Sequence, residues 1–200
     1  MRLLAPPELD SYLQQWGYST EGAWLAMADQ GALSVGLEDP RAGTIPHLAP
    51  VGDAEPLVRF VLGLLPVLEL GRLLGMPGRC GQDHHPEDAD WQRSAGPSWA
   101  RHRTLDALPE ALREWGIDEQ FVGAVLAEES DQRQVLVGLA EYAFVGRSDV
   151  RLLCEQSPLV CCLCHEGDLH FQSPDLVLLQ RIRANALEAG FWPNPPDDWP

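Results

Sequence analysis

The chain contains no lysine: all fourteen of its basic residues are arginine, against thirty acidic residues. It therefore cannot carry a P-loop, which needs a lysine at the phosphates, and it also lacks the G-x-G-x-x-G pattern of dinucleotide-binding folds. The formal charge of −16 repels phosphate backbones and anionic membrane surfaces. These absences argue against nucleic-acid and membrane partners, whereas the excess of acidic residues favours a basic protein partner.

Long apolar runs are missing as well. The longest uncharged apolar run covers residues 60–68, nine residues in all, which is too short to span a bilayer. The residues that follow Met1 do not form the apolar segment of a secretory signal. We therefore expect a soluble protein in the cytoplasm.

Cysteine is scarce and unevenly placed. There are five cysteines, an odd number, and four of them lie within residues 154–164. A disulfide framework of a secreted protein fits this pattern poorly, so we expect reduced thiols. No serine or aspartate is placed to complete a catalytic triad with His165 or His170, and the sequence favours a protein that is not an enzyme.

The composition is otherwise that of a globular protein. Hydrophobic residues make up 45% of the chain and charged residues 22%, and two hundred residues are enough to bury one sizeable core. We expect a single domain over residues 1–190. Residues 191–200 are rich in proline and tryptophan, and we expect them to form an extended tail.

Hydrophobic periodicity predicts several helices and two hairpins. The hairpins are expected at residues 23–37, where 23–28 could also begin as helix, and around a strand at 159–165, with 150–154 as a further strand. A strand at 135–145 is an alternative to helix. The predicted helices cover residues 7–16, 55–76 with a kink at Pro66, 105–115, 119–129, 130–145 and 174–189 with Ser173 as N-cap. Together they predict an α+β fold in which a small antiparallel sheet, built from the two hairpins, packs against several helices on one side.

The cysteine strand offers a candidate metal site. Alternation along a strand places Cys162 and Cys164 on one face, and Cys80 and His84 have the spacing of two ligands in a loop. Four such ligands would bind zinc tetrahedrally. The competing interpretation, which we prefer, is that the strand cysteines are small buried hydrophobic residues and that no cofactor binds.

The leading functional hypothesis is a non-catalytic interaction protein, such as an inhibitor, an immunity-type protector or an assembly adaptor, that docks an acidic face on a basic partner. The alternative is a metal- or thiol-dependent enzyme or sensor that uses the Cys/His cluster. Candidate partner-binding residues lie in the irregular segment 77–103 and in the tail, where aromatic side chains are available for contact. They are Trp91, Trp99, Trp192 and Trp199.

Overall fold

The computed structural model describes residues 1–19, 36–37, 43–49, 55–77, 99, 109–118, 120–145, 149–164 and 168–193. Within these residues the strands are, in chain order, β1 Arg2–Leu4, β2 Tyr18–Ser19, β3 Gly36–Leu37, β4 Gly43–Ala49, β5 Leu73–Pro77, β6 Ala124–Ala127, β7 Val150–Cys154, β8 Val160–Cys164, β9 Asp168–Ser173 and β10 Trp192–Pro193. Eight of them form one sheet in the order β1-β6-β5-β7-β8-β9-β4-β10, and β2 pairs with β3 separately. Every pairing is antiparallel.

The described helices are α1 Pro6–Gln15, α2 Glu55–Val67, α3 Glu110–Glu114, α4 Gln132–Ala140 and α5 Leu176–Glu188. A π-helical turn, Glu141–Val145, continues α4. Among the described residues, no helix combines the length and the apolar character needed to cross a membrane.

Helices cover both faces of the sheet, which therefore has two apolar clusters. The larger cluster lies on the first face and joins α2, α3, α4 and α5 to sheet residues such as Leu152 and Phe171. The smaller cluster lies on the second face, where Leu9 and Leu13 of α1 and Trp16 at its C-terminal end pack with sheet residues that include Leu74 and Leu153. The prediction of helices on one side only is therefore wrong, because α1 covers part of the second face.

The predicted α+β class and the antiparallel sheet are confirmed. The hairpin at the cysteine strand is present as β8 and β9, and β7 continues it into a three-stranded meander. Most of the other predicted hairpin, 23–37, lies outside the described residues. Its last two residues pair with Tyr18 and Ser19 in the separate small sheet.

Two segments predicted to be helical contain central strands instead. The apolar segment 55–76 ends its helix at Val67, and its last part forms β5. The predicted helix 119–129 is wrong, because residues 124–127 form β6. All residues of both strands are buried, so neither strand shows the alternation of apolar and polar residues that distinguishes a half-buried strand from a helix.

The last helix begins later than predicted. Its N-cap is Asp175 and not Ser173, because the Asp175 carboxylate accepts hydrogen bonds from the backbone N–H groups of Val177 and Leu178. The Ser173 hydroxyl accepts a hydrogen bond from the Asp175 backbone N–H at 3.1 Å, so it orders the cap from outside the helix. Gly190 ends the helix with a positive φ of 85°, as a glycine C-cap does.

The predicted tail begins as part of the sheet. Phe191 is buried in the first-face cluster, and the backbone of Trp192 and Pro193 pairs with Ala49 and Leu48 of β4. Residues 194–200 lie outside the described residues. The division into residues 1–190 and 191–200 stays a prediction.

Candidate functional sites

The cysteines of β8 alternate between the two faces of the sheet. Cys161 faces the larger apolar cluster, as does Cys154 of β7. Burial raises the pKa of Cys154 to about 12 and holds the pKa of Cys161 well above its ordinary range. Thiols with such raised pKa values are protonated and unreactive at neutral pH, so Cys154 and Cys161 are core residues.

Cys162 and Cys164 point to the second face, two residues apart on the strand, as the alternation predicts. In the register of the sheet, Cys162 is the direct neighbour of Arg151 on β7 and of His170 on β9. Arg151 is in turn paired with Met76 of β5. A row of side chains, Met76, Arg151, Cys162 and His170, therefore crosses four strands on one face, with neighbouring β-carbons about 5 Å apart. We call it the Arg-Cys-His row.

Arg151 is the least expected member of this row. Burial lowers the pKa of its guanidinium to about 10, against the attraction of Asp149, which favours the charged form. Asp149 is itself buried and lies directly before β7, and its charge acts on the Arg151 guanidinium. A buried guanidinium with a nearby carboxylate therefore lies on the strand next to Cys162.

Cys162 is disulfide-bonded in the structure. Cys154, Cys161 and Cys164 are reduced, so the prediction of reduced thiols is wrong for one of these four residues. The physical reason is that a count of cysteines cannot show which two side chains the fold brings together.

The structure describes two of the four predicted zinc ligands. Cys162 and Cys164 lie on one face, whereas Cys80 and His84 lie outside the described residues. Within the residues that the structure describes, no group of three or more His, Cys, Asp or Glu side chains could hold a metal ion. A sulfur in a disulfide is not a thiolate ligand, so the four-residue zinc site stays a prediction for the reduced protein alone.

Of the four tryptophans predicted to bind a partner, Trp99 is a core residue. Its exposed fraction is 0%, its indole N–H donates to the carbonyl of Gly123 at 3.0 Å, and its own carbonyl accepts from the Tyr142 hydroxyl at 2.6 Å. This burial removes Trp99 from the predicted partner-binding set. Trp91 and Trp199 lie outside the described residues, and Trp192 is placed only through its backbone pairing with Ala49.

Acidic residues are concentrated in α3, in α4 and in the chain between them. Residues 109–145 contain eight acidic residues and only two arginines, Arg113 and Arg133. Val137 is 44% exposed on α4, one helical turn from Arg133 and one turn from Glu141. We define the acidic surface by its exposed carboxylates, which are Glu110, Glu114, Asp118, Glu129 and Glu141.

The two helices under this surface are held close together. A Cβ atom at Gly138 of α4 would overlap the ring of Trp115 and would lie 3.2 Å from the Cβ of Ala111. Only glycine permits this approach without a shift of the neighbouring groups. The close packing of Trp115 and Ala111 on Gly138 fixes the acidic side chains of α3 relative to those of α4.

A groove of about 460 Å³ lies between α2 and α5. Phe60, Leu64 and Phe191 form apolar walls, with the rings of Phe60 and Phe191 4.9 Å apart, and polar groups come from Arg59 and Asn185. Such a groove suits an apolar side chain of another molecule, held by the aromatic rings. No sequence pattern indicated this groove, because α2 and α5 are far apart in the chain.

No family model, no curated protein and no solved structure matches the chain. A functional assignment therefore rests on the residues themselves.

Proposed function

We propose that the protein is a non-catalytic interaction protein that docks on a basic partner protein. The observation that carries this proposal is the acidic surface. It has five exposed carboxylates within residues 109–145, a segment that contains only two arginines, Arg113 and Arg133.

Two further features support a docking role for this surface. Val137 adds an exposed apolar side chain beside the carboxylates, and interfaces commonly combine an apolar contact with charged surroundings. The tight packing of Trp115 on Gly138 holds the surface in one shape, which reduces the entropy that is lost on binding. Inhibitors, immunity-type protectors and assembly adaptors are the kinds of protein that use such a surface.

The test compares two charge-reversal variants that change the net charge equally. One variant carries Glu114→Arg and Glu141→Arg on the acidic surface, and the matched control carries Glu69→Arg and Glu188→Arg elsewhere. Partners are captured with the purified wild-type protein and identified by mass spectrometry. The association rate of each identified basic protein with the three forms is then measured at low and at high salt.

The proposal requires that the surface variant lose roughly tenfold or more in association rate, that the control stay close to wild type, and that salt weaken wild-type binding. Equal losses in both variants would mean that only net charge matters. A salt-independent affinity would also contradict the proposal.

A thiol-dependent sensor is the second candidate function. It is favoured by the disulfide-bonded state of Cys162 and by the position of that residue between Arg151 and His170. In the reduced protein the Cys162 thiol could bind zinc. If it does, metal analysis after reduction and addition of zinc will find one bound zinc per chain. The Cys162→Ser variant would then lose the metal, and the Cys161→Ser variant would keep it.

A further inference from the structure

A glycine helps to keep the groove between α2 and α5 open. Gly63 lines this groove, and a Cβ atom added at Gly63 would meet no neighbouring group within 4 Å. Glycine inside a helix is less stable than alanine, and here a side chain would displace nothing. Close packing therefore does not explain the glycine. The space beside it, about 460 Å³, is large enough to hold a small molecule.

The apolar walls of the groove are already formed. The ring centroids of Phe60 and Phe191 lie 4.9 Å apart, and Phe60 also makes an edge contact with Phe171 at 6.4 Å. All three side chains are buried in the larger apolar cluster, which holds the rings in place. A ring or a branched alkyl group can therefore pack against these walls without reordering them, and the entropy lost on binding is small.

The charges at the groove are unequal on its two sides. Arg59, on the α2 side, forms an ion pair with Glu55 at 3.2 Å, which offsets its positive charge. Glu188, on the α5 side, is exposed, and within the described part of the chain its carboxylate forms no ion pair.

The position of Glu188 in its helix adds to this negative charge. Glu188 is the last residue of α5, and the last turn of that helix contains no basic residue. Its carboxylate therefore lies at the negative end of the helix dipole, where a cation is favourable and an anion is not. A ligand that brings a positive charge to this end of the groove would be stabilised by both the carboxylate and the dipole.

We propose that the groove between α2 and α5 binds a small hydrophobic amine. Its apolar group packs against Phe60 and Phe191 beside Gly63, and its ammonium group pairs with Glu188. A carboxylate ligand would be repelled by Glu188 and would find Arg59 already paired, and a neutral ligand would gain nothing from the charge. This site is independent of both proposed functions, because none of its residues belongs to the acidic surface or to the Arg-Cys-His row.

The first test compares three probes of similar shape, phenethylamine, phenethyl alcohol and hydrocinnamate, by NMR titration at neutral pH. Each carries a phenyl ring on a short chain, and they differ in charge. We expect phenethylamine to bind with a dissociation constant of about 1 mM or below, as suits so small a ligand. The alcohol should bind roughly three- to tenfold more weakly, and hydrocinnamate more weakly still.

Three results of this titration would overturn the proposal. Equal affinities for the amine and the alcohol would remove the role of the ammonium group. Tighter binding of hydrocinnamate would assign the groove to an anion. Absence of phenethylamine binding at about ten times the expected dissociation constant would leave the groove without this ligand. Ethylamine, which lacks the ring, should bind far more weakly than phenethylamine, and equal binding would contradict the role of the aromatic walls.

The second test fills the groove. Gly63→Leu places a side chain in the open space and should abolish the binding of phenethylamine and of phenethyl alcohol. The matched control is Val177→Leu, which enlarges an exposed side chain of α5 that does not line the groove and should leave both affinities unchanged. Denaturant unfolding establishes that the two variants are folded. Undiminished binding by folded Gly63→Leu would overturn the assignment of the site.

The third test removes the charge and does not depend on how Gly63→Leu folds. Glu188→Gln should weaken phenethylamine binding roughly three- to tenfold and leave phenethyl alcohol binding unchanged. Glu69→Gln makes the same change of net charge outside the groove and should bind both probes as wild type does. Equal losses in the two variants would mean that phenethylamine responds only to net charge, and an unaltered affinity in Glu188→Gln would place the ammonium group elsewhere. Either result would overturn the proposal.

Discussion

The phenol oxygen of Tyr18 lies 2.9 Å from the carbonyl oxygen of Leu159, 141 positions later in the chain. The same hydroxyl lies 2.9 Å from the carbonyl oxygen of Cys154 and accepts the Cys154 backbone N–H at 3.0 Å. Tyr18 is 1% exposed, and burial together with the nearby Cys154 raises the pKa of its hydroxyl far above the ordinary value. The neutral phenol therefore holds the turn between β7 and β8 to the N-terminal part of the chain.

Replacement of Tyr18 by phenylalanine should lower the free energy of unfolding by about 1–3 kcal/mol, because it leaves buried backbone groups of the turn without their partner. Denaturant unfolding measures the change. Tyr12→Phe is the matched control, since that hydroxyl accepts a hydrogen bond from Arg2 in an exposed position and should contribute less than about 1 kcal/mol. Equal losses in the two variants would contradict the role given to Tyr18.

The pair formed by Arg72 and Glu155 should make stability depend on acid. The guanidinium donates to both carboxylate oxygens, at 2.9 and 2.5 Å, and this pairing lowers the pKa of Glu155 below its ordinary value. The contribution is therefore present above the pKa of the unfolded state and disappears as the pH falls through the lower pKa of the folded state.

We expect Glu155→Gln to lose on the order of 1 kcal/mol at neutral pH and to show a flatter acid dependence than wild type, since the pair is only partly shielded from water. Unfolding midpoints measured from neutral to acidic pH test this. Glu128→Gln is the control, because Glu128 is more exposed and lies 3.6 Å from Arg72. If wild type and Glu155→Gln lose stability in parallel on acidification, the pair does not act as described.

Two helix glycines should respond in opposite ways to substitution by alanine. Gly138→Ala places a methyl group into the ring of Trp115, and overpacking of this kind costs about 1–3 kcal/mol. Gly63 of α2 has no atom within 4 Å of an added Cβ, so Gly63→Ala should gain about 0.5–1 kcal/mol from helix propensity alone. Thermal unfolding of the two variants measures the difference, and a stabilised Gly138→Ala would show that α3 and α4 are less closely packed.

The N-cap of α5 gives a local prediction. Asp175→Ala removes the acceptor for two backbone N–H groups at the start of the helix and should cost about 1 kcal/mol. Asp175→Asn keeps an acceptor oxygen and should stay within a few tenths of a kcal/mol of wild type. If asparagine proves as destabilising as alanine, hydrogen bonding is not what the cap contributes.

The sequence predicted those elements whose two sides face different surroundings. Leu9, Leu13 and Trp16 repeat at helical spacing because one side of this segment packs on the sheet. It failed for β5 and β6, which are covered on both sides and therefore consist of short apolar runs without a period. A local sequence pattern therefore shows only whether the two sides of a helix or strand face different surroundings.

The candidate sites were less predictable for a different reason. Arg151 becomes a neighbour of Cys162 only through the register between β7 and β8, and that register is a property of the assembled sheet. The acidic character was visible in the composition, but its concentration on α3 and α4 beside the exposed Val137 depends on how Gly138 lets the helices meet. The burial of Trp99 could not be foreseen, since its partners Gly123 and Tyr142 are distant in sequence.

The strand order has a consequence for how the chain reaches this fold. Only β7, β8 and β9 are joined by short connections, whereas β5 must pair across 81 positions, with Leu73 opposite Cys154, and β4 across 130, with Gly43 opposite Ser173. Each of these pairings closes a long loop, and the chain loses entropy before the new contacts compensate for it. Folding is therefore expected to be slow. During synthesis, β4 and one side of β5 stay without their sheet neighbours until the last third of the chain has left the ribosome, because β7, β9 and β10 lie there. The apolar segments of β5 and α2 are then exposed together, and protection from aggregation at that stage is the demand that this topology places on the cell.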